Sequence, residues 1–217
     1  MPTSPAFPRV LAVVALIAVG AVLAASAKPD LFPKNFGVVE AGKVYRSGQL
    51  TPAAFRRVVE RHGIRTIIDM GSGKDHPEVE RLNAAVARSL GVRRYVAALE
   101  GDARGNPNWY VWALRLASDP ENQPVLIHCG AGSERTGCIV ALYDNVHRGV
   151  PLDQGYIETK RFGHRPTRNP HLRDVMEKYG PSIVEAYRAG QWLPFAEVPP
   201  PEGVGIDARP VALPPSR

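Results

Sequence analysis

Residues 128–137 read HCGAGSERTG and follow an apolar run, 124–128, that predicts a buried strand. The residues after them, through His147, predict a helix. Cys129 and Arg135 mark the two ends of the connection between strand and helix, which we call the cysteine loop (residues 129–135). Ligands of α/β domains bind where a strand ends and the next helix begins. We therefore expect the functional site of this chain at the cysteine loop.

The residues of the cysteine loop predict a particular chemistry. Gly130 and Gly132 allow close backbone approach, so that several N–H groups point inward at a helix N-terminus and attract an anion. The same field favours thiolate over thiol at Cys129. We expect the Thr136 hydroxyl to hydrogen-bond that thiolate, and the planar guanidinium of Arg135 to bind two phosphate oxygens. Together these groups describe attack by sulfur on phosphorus, with a thiophosphate intermediate that water hydrolyses.

Predicted strands and helices alternate on both sides of the loop. The strand predictions are 44–46, 66–69, 94–99 and 124–128, and the helix predictions are 52–61, 77–90, 109–117 and the segment through His147. Thr51 and Pro52 predict a capped start for the first helix, and Gly63 predicts its end. This alternation is typical of an α/β domain around a mostly parallel sheet.

The cysteine loop and its flanks resemble one enzyme family. Residues 128–137 match the H-C-x5-R-[ST]-G signature of the cysteine-dependent tyrosine and dual-specificity phosphatases. The runs DPENQPVLIH (119–128), VYRSGQ (44–49) and IRTIID (64–69) are similar to the corresponding runs of bacterial members. The resemblance extends over about 37–190. It implies the protein tyrosine phosphatase-like fold, a mostly parallel central sheet flanked by helices, and removal of phosphate from phosphotyrosine, with phosphoserine and phosphothreonine as further substrates. The expected partner is a phosphorylated protein, without a cofactor or a metal.

The resemblance also assigns roles to single residues. Cys129 is the expected nucleophile, Arg135 binds phosphate in the ground and transition states, and His128 orients the loop through hydrogen bonds, a packed histidine being the alternative. Asp102, on a glycine-containing loop after a predicted strand, is the expected general acid that protonates the leaving group. The expected substrate-binding residues are Gly130, Ala131, Gly132, Ser133, Glu134 and Arg135.

Other carboxylates remain alternatives to Asp102 as the acid. Glu100 is one, although it more simply belongs to the end of the strand. Asp119 precedes a proline and is typical of a turn former. Glu134 lies in the loop itself, where a first-turn acidic residue that interacts favourably with the helix dipole is the simpler interpretation.

Two further features are open to a structural and a functional interpretation. Cys138 follows the loop on the predicted helix, and we expect a buried, inert thiol there. Residues 161–165, RFGHR, are expected at the end of a C-terminal helix, either as a solvated basic patch or as a second phosphate contact.

The predicted chemistry leaves other function classes open. No lysine lies between Cys129 and Arg135, and Glu134 adds a negative charge there, so substrates with a single phosphate are favoured over phosphoinositides. A phosphoinositide or other small phosphomonoester phosphatase is the alternative enzyme. A phosphate-binding module without turnover, and a sulfur transferase or arsenate reductase, are the competing classes. Intact Cys129, Arg135 and Thr136 argue against the binding module. The set His128, Arg135, Thr136 and Asp102 fits hydrolysis better than sulfur transfer or arsenate reduction.

Composition excludes several classes of protein. With 44% hydrophobic and 22% charged residues, the 217-residue chain can bury the core of one domain and is unlike a disordered chain. Two cysteines cannot build a disulfide framework, and no Cys/His cluster has zinc-site spacing. The net charge of +6 is spread along the chain, unlike the clustered charge of a nucleic-acid binder, so no nucleic-acid partner is expected.

The N-terminal segment predicts export or anchoring. Residues 10–27 carry no charged side chain and end in Ala25-Ser26-Ala27, the small-x-small pattern of a signal-peptidase site. As a helix, this run would also reach across most of a hydrocarbon core. Residues 1–27 are therefore interpreted as a signal peptide or an N-terminal membrane anchor, and both place the rest outside the cytoplasm. The lysines that follow outnumber the single Arg9, so the positive-inside rule does not support this orientation.

The remaining boundaries follow from composition. Residues 28–36 contain two prolines and predict a linker, and residues 37–190 are the expected phosphatase domain. Residues 194–217 are rich in proline and predict a disordered tail.

Overall fold

A computed structural model of the chain describes residues 14–20, 22, 28–74, 77–195, 197–200 and 203. Within these residues the strands form one five-stranded sheet: β1 Gly37–Glu40, β2 Val44–Ser47, β3 Thr66–Asp69, β4 Arg93–Val96 and β5 Val125–His128. Their order across the sheet is β1-β2-β5-β3-β4. β1 pairs antiparallel with β2, and the other three pairings are parallel. The prediction of a mostly parallel central sheet is therefore confirmed.

Helices cover both faces of this sheet. They are α1 Pro52–His62, α2 Pro77–Ser89, α3 Asn108–Ser118, α4 Glu134–Arg148, α5 Leu152–Thr159 and α6 His171–Arg188. Alternate residues of the central strand β5 point to opposite faces. Val125 and Ile127 belong to the larger core cluster, which includes residues of α3, α4 and α6, whereas Leu126 belongs to the cluster with Phe55 and Val58 of α1. Residues of the apolar strand β5 thus pack against the helices on both faces of the sheet. The cysteine loop follows β5 and therefore begins in the middle of the sheet.

Local signals explain the bounds of α1. The Thr51 hydroxyl accepts a hydrogen bond from the Ala54 N–H (3.2 Å), and Pro52 occupies the first turn, where its missing N–H is not needed. Gly63 ends the helix in the left-handed conformation, with φ of 60°. The predicted caps of this helix are confirmed.

β4 is shorter than the predicted strand 94–99. Its partner β3 ends at Asp69, which pairs in register with Val96. The Ala97 N–H still donates to the Asp69 carbonyl (2.8 Å), and beyond this point the chain has left the ladder. Residues 97–99 therefore run on without strand pairing toward the loop that carries Asp102.

Residues 28–36, predicted as a linker, lie against the domain. The Gly48 N–H donates to the Lys34 carbonyl (2.7 Å). The Phe36 ring stacks on His62 (centroids 5.1 Å apart) and on Tyr45 (6.1 Å). Contacts on either side of Asn35 therefore hold this segment in a defined course beside the ends of β2 and α1.

Part of the predicted tail also contacts the domain. The side chains of Asn106 and Asn108 both donate to the Glu197 carbonyl (2.6 and 3.4 Å). Gly203 forms a parallel bridge with Val96 of β4. Residues 196, 201, 202 and 204–217 lie outside the described residues, so the prediction of disorder over 194–217 stays a prediction for them.

Most of the predicted export segment falls outside the described residues, which omit 1–13, 21 and 23–27. In the part of the chain that is described, no helix has both the length and the apolar character needed to cross a membrane.

Candidate active site

The cysteine loop connects the end of β5 at His128 to the start of α4 at Glu134. The Gly132 N–H donates to the Cys129 sulfur (3.2 Å), and Cys129 is buried, with 1% of its surface exposed. Gly132 reaches this position with φ of 78°, a left-handed conformation that favours glycine. The loop thus curls around its cysteine, with a backbone amide directed at the sulfur.

The carbonyl groups of the loop point outward and are held there by side chains from an earlier part of the chain. In a trans peptide the C=O and the next N–H point in opposite directions, so a carbonyl fixed outward turns the following amide inward. The donors are Lys34 Nζ to Gly130 O (3.0 Å), Asn35 Nδ2 to Ala131 O (2.9 Å) and Arg46 Nη2 to Gly132 O. This geometry directs the following amides away from these donors, and the Gly132 amide reaches the Cys129 sulfur, an arrangement suited to an anion.

Arg135 lies in the first turn of α4 and is buried. Its Nη1 donates to the carbonyls of Met70 (3.2 Å) and Gly71. Gly71 has φ of 87°, a left-handed conformation that favours glycine, and a Cβ there would lie 3.0 Å from the Ala97 carbonyl oxygen and 3.3 Å from that nitrogen. The turn after β3 therefore sets the position of Arg135.

Sequence reasoning missed Arg46, a buried cation at the loop. Arg46 belongs to β2 and lies with its guanidinium carbon 3.5 Å from the centroid of the Phe162 ring. Burial lowers its pKa to about 10, against the opposing effect of Cys129, so Arg46 stays charged at neutral pH. The signal was present in the sequence, since an arginine in a strand that is otherwise buried needs a partner.

Two predicted hydrogen bonds are not formed. The Thr136 hydroxyl is buried and has no hydrogen-bond partner among the described residues, so it does not bind the Cys129 sulfur. That sulfur is approached by the Gly132 amide instead. Neither ring nitrogen of His128 has a partner in the same part of the chain, so His128 is here a packed residue at the strand end. The structure therefore favours the alternative interpretation of His128.

The structure places Asp102 in an ion pair instead of in contact with the loop. Its carboxylate accepts from Arg104 Nε (2.8 Å) and pairs with Arg104 Nη2 (2.7 Å). Burial raises the pKa of Asp102, but the hydrogen bonds from Arg104 outweigh it and the pKa is lowered. A general acid must carry a proton at the working pH. In this conformation Asp102 is ionised, so its assignment as the acid stays a prediction that needs the loop to rearrange.

The alternative acids differ in their surroundings. Asp119 Oδ1 accepts from the Glu121 N–H (2.9 Å), the turn-forming role that its sequence context predicts. Glu134 is buried, and its Oε1 lies 3.1 Å from Nδ1 of the buried His164. Of the two, Glu134 is the carboxylate that belongs to the cysteine loop.

A polar cavity of about 500 Å³ opens beside the loop. Its lining residues are Ala131, Ser133, Glu134, Gly163, Arg165, Arg168 and Asn169. Neither Arg165 nor Arg168 has an ion-pair or side-chain hydrogen-bond partner among the residues that the structure describes, whereas Arg161 pairs with Glu158 (3.1 Å). Residues 161–165 are predicted from the sequence to lie at the end of a C-terminal helix. The structure instead places these residues between α5 and α6, where Arg165 and Arg168 line the cavity.

The segment that carries these arginines is fastened to the loop. The Phe162 carbonyl accepts from Ser133 Oγ (2.9 Å) and from Asn35 Nδ2 (2.9 Å). His164 reaches Glu134 from the same segment. We call residues 160–169 the arginine segment.

Within the described residues, no cluster of three or more His, Cys, Asp or Glu side chains could hold a metal ion.

A mostly parallel α/β sheet that delivers a buried cysteine into an amide-lined loop, with an arginine on the following helix, defines a cysteine-based phosphatase. The model of the tyrosine phosphatase family matches residues 31–148, and the chain belongs to this family.

Two inositol diphosphatases are similar to this chain over part of their length. The inositol diphosphatase SIW14 of Saccharomyces cerevisiae is 31% identical over 168 residues, which cover 75% of this chain and 57% of the yeast protein. The inositol diphosphatase DSP4 of Arabidopsis thaliana is 31% identical over 140 residues, 63% of this chain and 67% of the plant protein. The chain thus spans little more than half the length of the yeast relative.

Solved structures share the fold. The catalytic core of Siw14 superposes with a TM-score of 0.58 at 25% identity, covering 75% of this chain and 95% of that core. TpbA from P. aeruginosa gives a TM-score of 0.58 at 20% identity, covering 71% of this chain and 91% of TpbA.

Proposed function

We propose that this chain removes one phosphate group from a small substrate that carries several, of the inositol diphosphate class. The observation that carries the proposal is the cavity beside the cysteine loop, where Arg165 and Arg168 supply two cations that have no ion-pair partner among the described residues. None of its seven lining residues has an aromatic ring, which a deep phosphotyrosine pocket would use to hold the phenyl group. The names of the yeast and plant relatives support the same substrate class.

The chemistry begins at Cys129. Its thiolate attacks the terminal phosphorus, an S–P bond forms, and the bond from phosphorus to the bridging oxygen breaks, leaving its electron pair on that oxygen. The inward amides of the loop and Arg135 bind the oxygens of the transferred group as their charge redistributes. Water then attacks the phosphorus of the S–P intermediate, releasing orthophosphate, a proton and the thiolate.

The leaving group explains why an ionised Asp102 is compatible with this reaction. An alkoxide or phenolate must be protonated as it leaves, which requires an acid. A phosphate leaving group has a second pKa of about 6 and departs as a stable anion at neutral pH. Cleavage of a diphosphate therefore depends less on the acid than cleavage of a phosphate ester does.

Phosphotyrosine in a protein, which the sequence first suggested, is the competing substrate. The absence of lysine in the cysteine loop favoured a substrate with a single phosphate, but Arg165 and Arg168, from outside the loop, line the cavity.

Location outside the cytoplasm remains a prediction from residues 1–27.

The test compares substrates on the purified full-length chain. We would measure kcat/KM by phosphate release from a diphosphoinositol phosphate, inositol hexakisphosphate, a phosphotyrosyl peptide and p-nitrophenyl phosphate. The diphosphate should be preferred over the peptide by about tenfold or more, because charge-assisted hydrogen bonds contribute about 1.5–3 kcal/mol each. A preference for the peptide would overturn the proposal and restore the protein substrate.

A variant pair locates the preference. Replacing both Arg165 and Arg168 by glutamine should raise KM for the diphosphate about tenfold more than KM for p-nitrophenyl phosphate. Arg173→Gln is the matched control, because Arg173 is also exposed but pairs with Glu177 on α6. If Arg173→Gln loses the preference for the diphosphate, or if the double variant keeps it, the cavity does not determine that preference.

A further inference from the structure

Asn35 joins two parts of the site with a single side chain. Its Nδ2 donates to Ala131 O in the cysteine loop and to Phe162 O in the arginine segment, both at 2.9 Å. An amide NH₂ has two hydrogens, so its donor capacity is filled by these two carbonyls. The loop and the arginine segment are 31 residues apart in sequence at these carbonyls, yet they meet at one nitrogen.

The backbone at Asn35 is fixed by contacts of the residues on either side of it. Its φ is 49°, in the left-handed region that asparagine tolerates better than most residues. The hydrogen bond from Gly48 to Lys34 O precedes it, and the stack of Phe36 on His62 follows it. The side chain is therefore presented to both carbonyls from a fixed position.

The two parts joined by Asn35 have different tasks under the proposed function. The cysteine loop holds the phosphate under attack, and the arginine segment carries Arg165 and Arg168 for a second anionic group. Their separation decides whether one substrate can occupy both. Ser133 Oγ donates to the same Phe162 carbonyl, so this oxygen joins Asn35, the loop and the segment, and the contact of His164 with Glu134 is a second link between loop and segment.

We propose that Asn35 is a positioning residue that sets the spacing between the cysteine loop and the arginine segment, and thereby selects substrates with two neighbouring phosphate groups. The inference rests on the proposed function. It assigns a specificity role to a segment that sequence composition alone predicts to be a linker.

The test uses two variants that keep the backbone conformation. Asn35→Gly removes both hydrogen bonds and tolerates positive φ. Asn35→Asp keeps the shape but replaces the donor by an acceptor that faces two carbonyls. Asn145→Asp is the matched control, since Asn145 donates to the Val150 carbonyl (2.9 Å) at the far end of α4.

The measured quantity is the ratio of kcat/KM for the diphosphoinositol phosphate to kcat/KM for p-nitrophenyl phosphate, together with the melting temperature. Both Asn35 variants should lower this ratio about fivefold or more, through KM for the diphosphate, which corresponds to about one ordinary hydrogen bond. Asn145→Asp should leave the ratio unchanged. If Asn35→Gly fails to fold, Asn35→Asp carries the test.

The outcomes separate the two proposals. A wild-type chain without any preference for the diphosphate overturns the proposed function, and this inference with it. A wild-type preference that survives in both Asn35 variants overturns this inference alone. A lower melting temperature of the Asn35 variants with an unchanged ratio of the two kcat/KM values also overturns this inference, because it shows that Asn35 has a merely structural role.

Discussion

Replacing Gly132 by alanine tests whether the cysteine loop depends on close backbone contact. Gly132 has φ of 78°, and a Cβ there would lie 2.5 Å from the amide nitrogen and 2.8 Å from the Cα of Gly48. A left-handed conformation costs a non-glycine residue about 1–2 kcal/mol. The atoms in the way are backbone, which cannot rotate aside as a flexible side chain would.

Gly149 provides the matched comparison for this substitution. Its φ is 68°, and a Cβ there would meet no atom within 4 Å. Gly149→Ala therefore has the conformational cost alone, about 1 kcal/mol once the smaller freedom of the unfolded chain is included. For a domain of this size that lowers Tm by about 2–4 °C. Gly132→Ala adds an overpacking cost of about 1–3 kcal/mol and should lower Tm by about twice as much or more.

The two variants should differ even more in activity. Displacing the loop by about 1 Å is enough to cost about 100-fold in rate, so kcat/KM for p-nitrophenyl phosphate should fall by about that factor in Gly132→Ala. Gly149→Ala should keep the wild-type rate. Scanning calorimetry and initial rates measure both quantities. Equal Tm and equal activity in the two variants would show that the contact between Gly132 and Gly48 does not hold the loop.

Three other substitutions test the rest of the structure. Burial raises the pKa of Cys138 to about 12, so iodoacetamide at pH 8 should leave Cys138 unmodified by mass spectrometry, and Cys138→Ala should remain active. Leu126 is fully buried, so Leu126→Ala should lower the free energy of unfolding in urea by about 2–5 kcal/mol. Arg94 pairs with buried Asp69 (2.6 Å) and with Glu80, so Arg94→Met should cost about 3–5 kcal/mol near pH 7. Burial raises the pKa of Asp69, but His128, Arg94 and Ser72 together lower it, so its stabilisation is present above its ordinary pKa of about 3.8 and is lost as pH falls further. The difference in free energy of unfolding between wild type and Arg94→Met should therefore become smaller as the pH falls below about 3.8.

Local signals in the sequence predicted the alternation of strands and helices, although the edge strand β1 was not predicted. The apolar run of β5 and the cap residues Thr51 and Gly63 act over a few residues, so they can be read from a single chain. The cysteine loop could be found for the same reason, because its glycines, cysteine and arginine are close together in sequence. The length of β4 depended instead on where its partner β3 ends, which no local pattern states.

The supports of the loop could not be predicted in this way. Lys34 and Asn35 donate to carbonyls 96 residues further along the chain, and such pairings arise only from tertiary packing. Asn35 was therefore placed in a linker by composition. Arg46 was quoted only as part of a motif, although a cation in a buried strand could have marked it as a partner of the loop.

The substrate interpretation shows the same limit. The absence of lysine within the cysteine loop was a correct observation of the local sequence. The cations of the cavity are Arg165 and Arg168, which the chain supplies after two more helices. Asp102 was chosen for its place on a glycine-containing loop after a predicted strand, whereas its ion pair with Arg104 became visible only with side-chain geometry.

The bridge between Gly203 and Val96 affects the tendency of separate molecules to associate through the edge of the sheet. β4 is the outermost strand on its side, and an open edge offers N–H and C=O groups to any extended peptide, including another copy of the same protein. Gly203 lies so close to the Val96 carbonyl that a side chain could not be accommodated there, and it shields that edge. Proteolytic trimming of the C-terminal residues would therefore uncover a surface prone to intermolecular strand pairing and self-association.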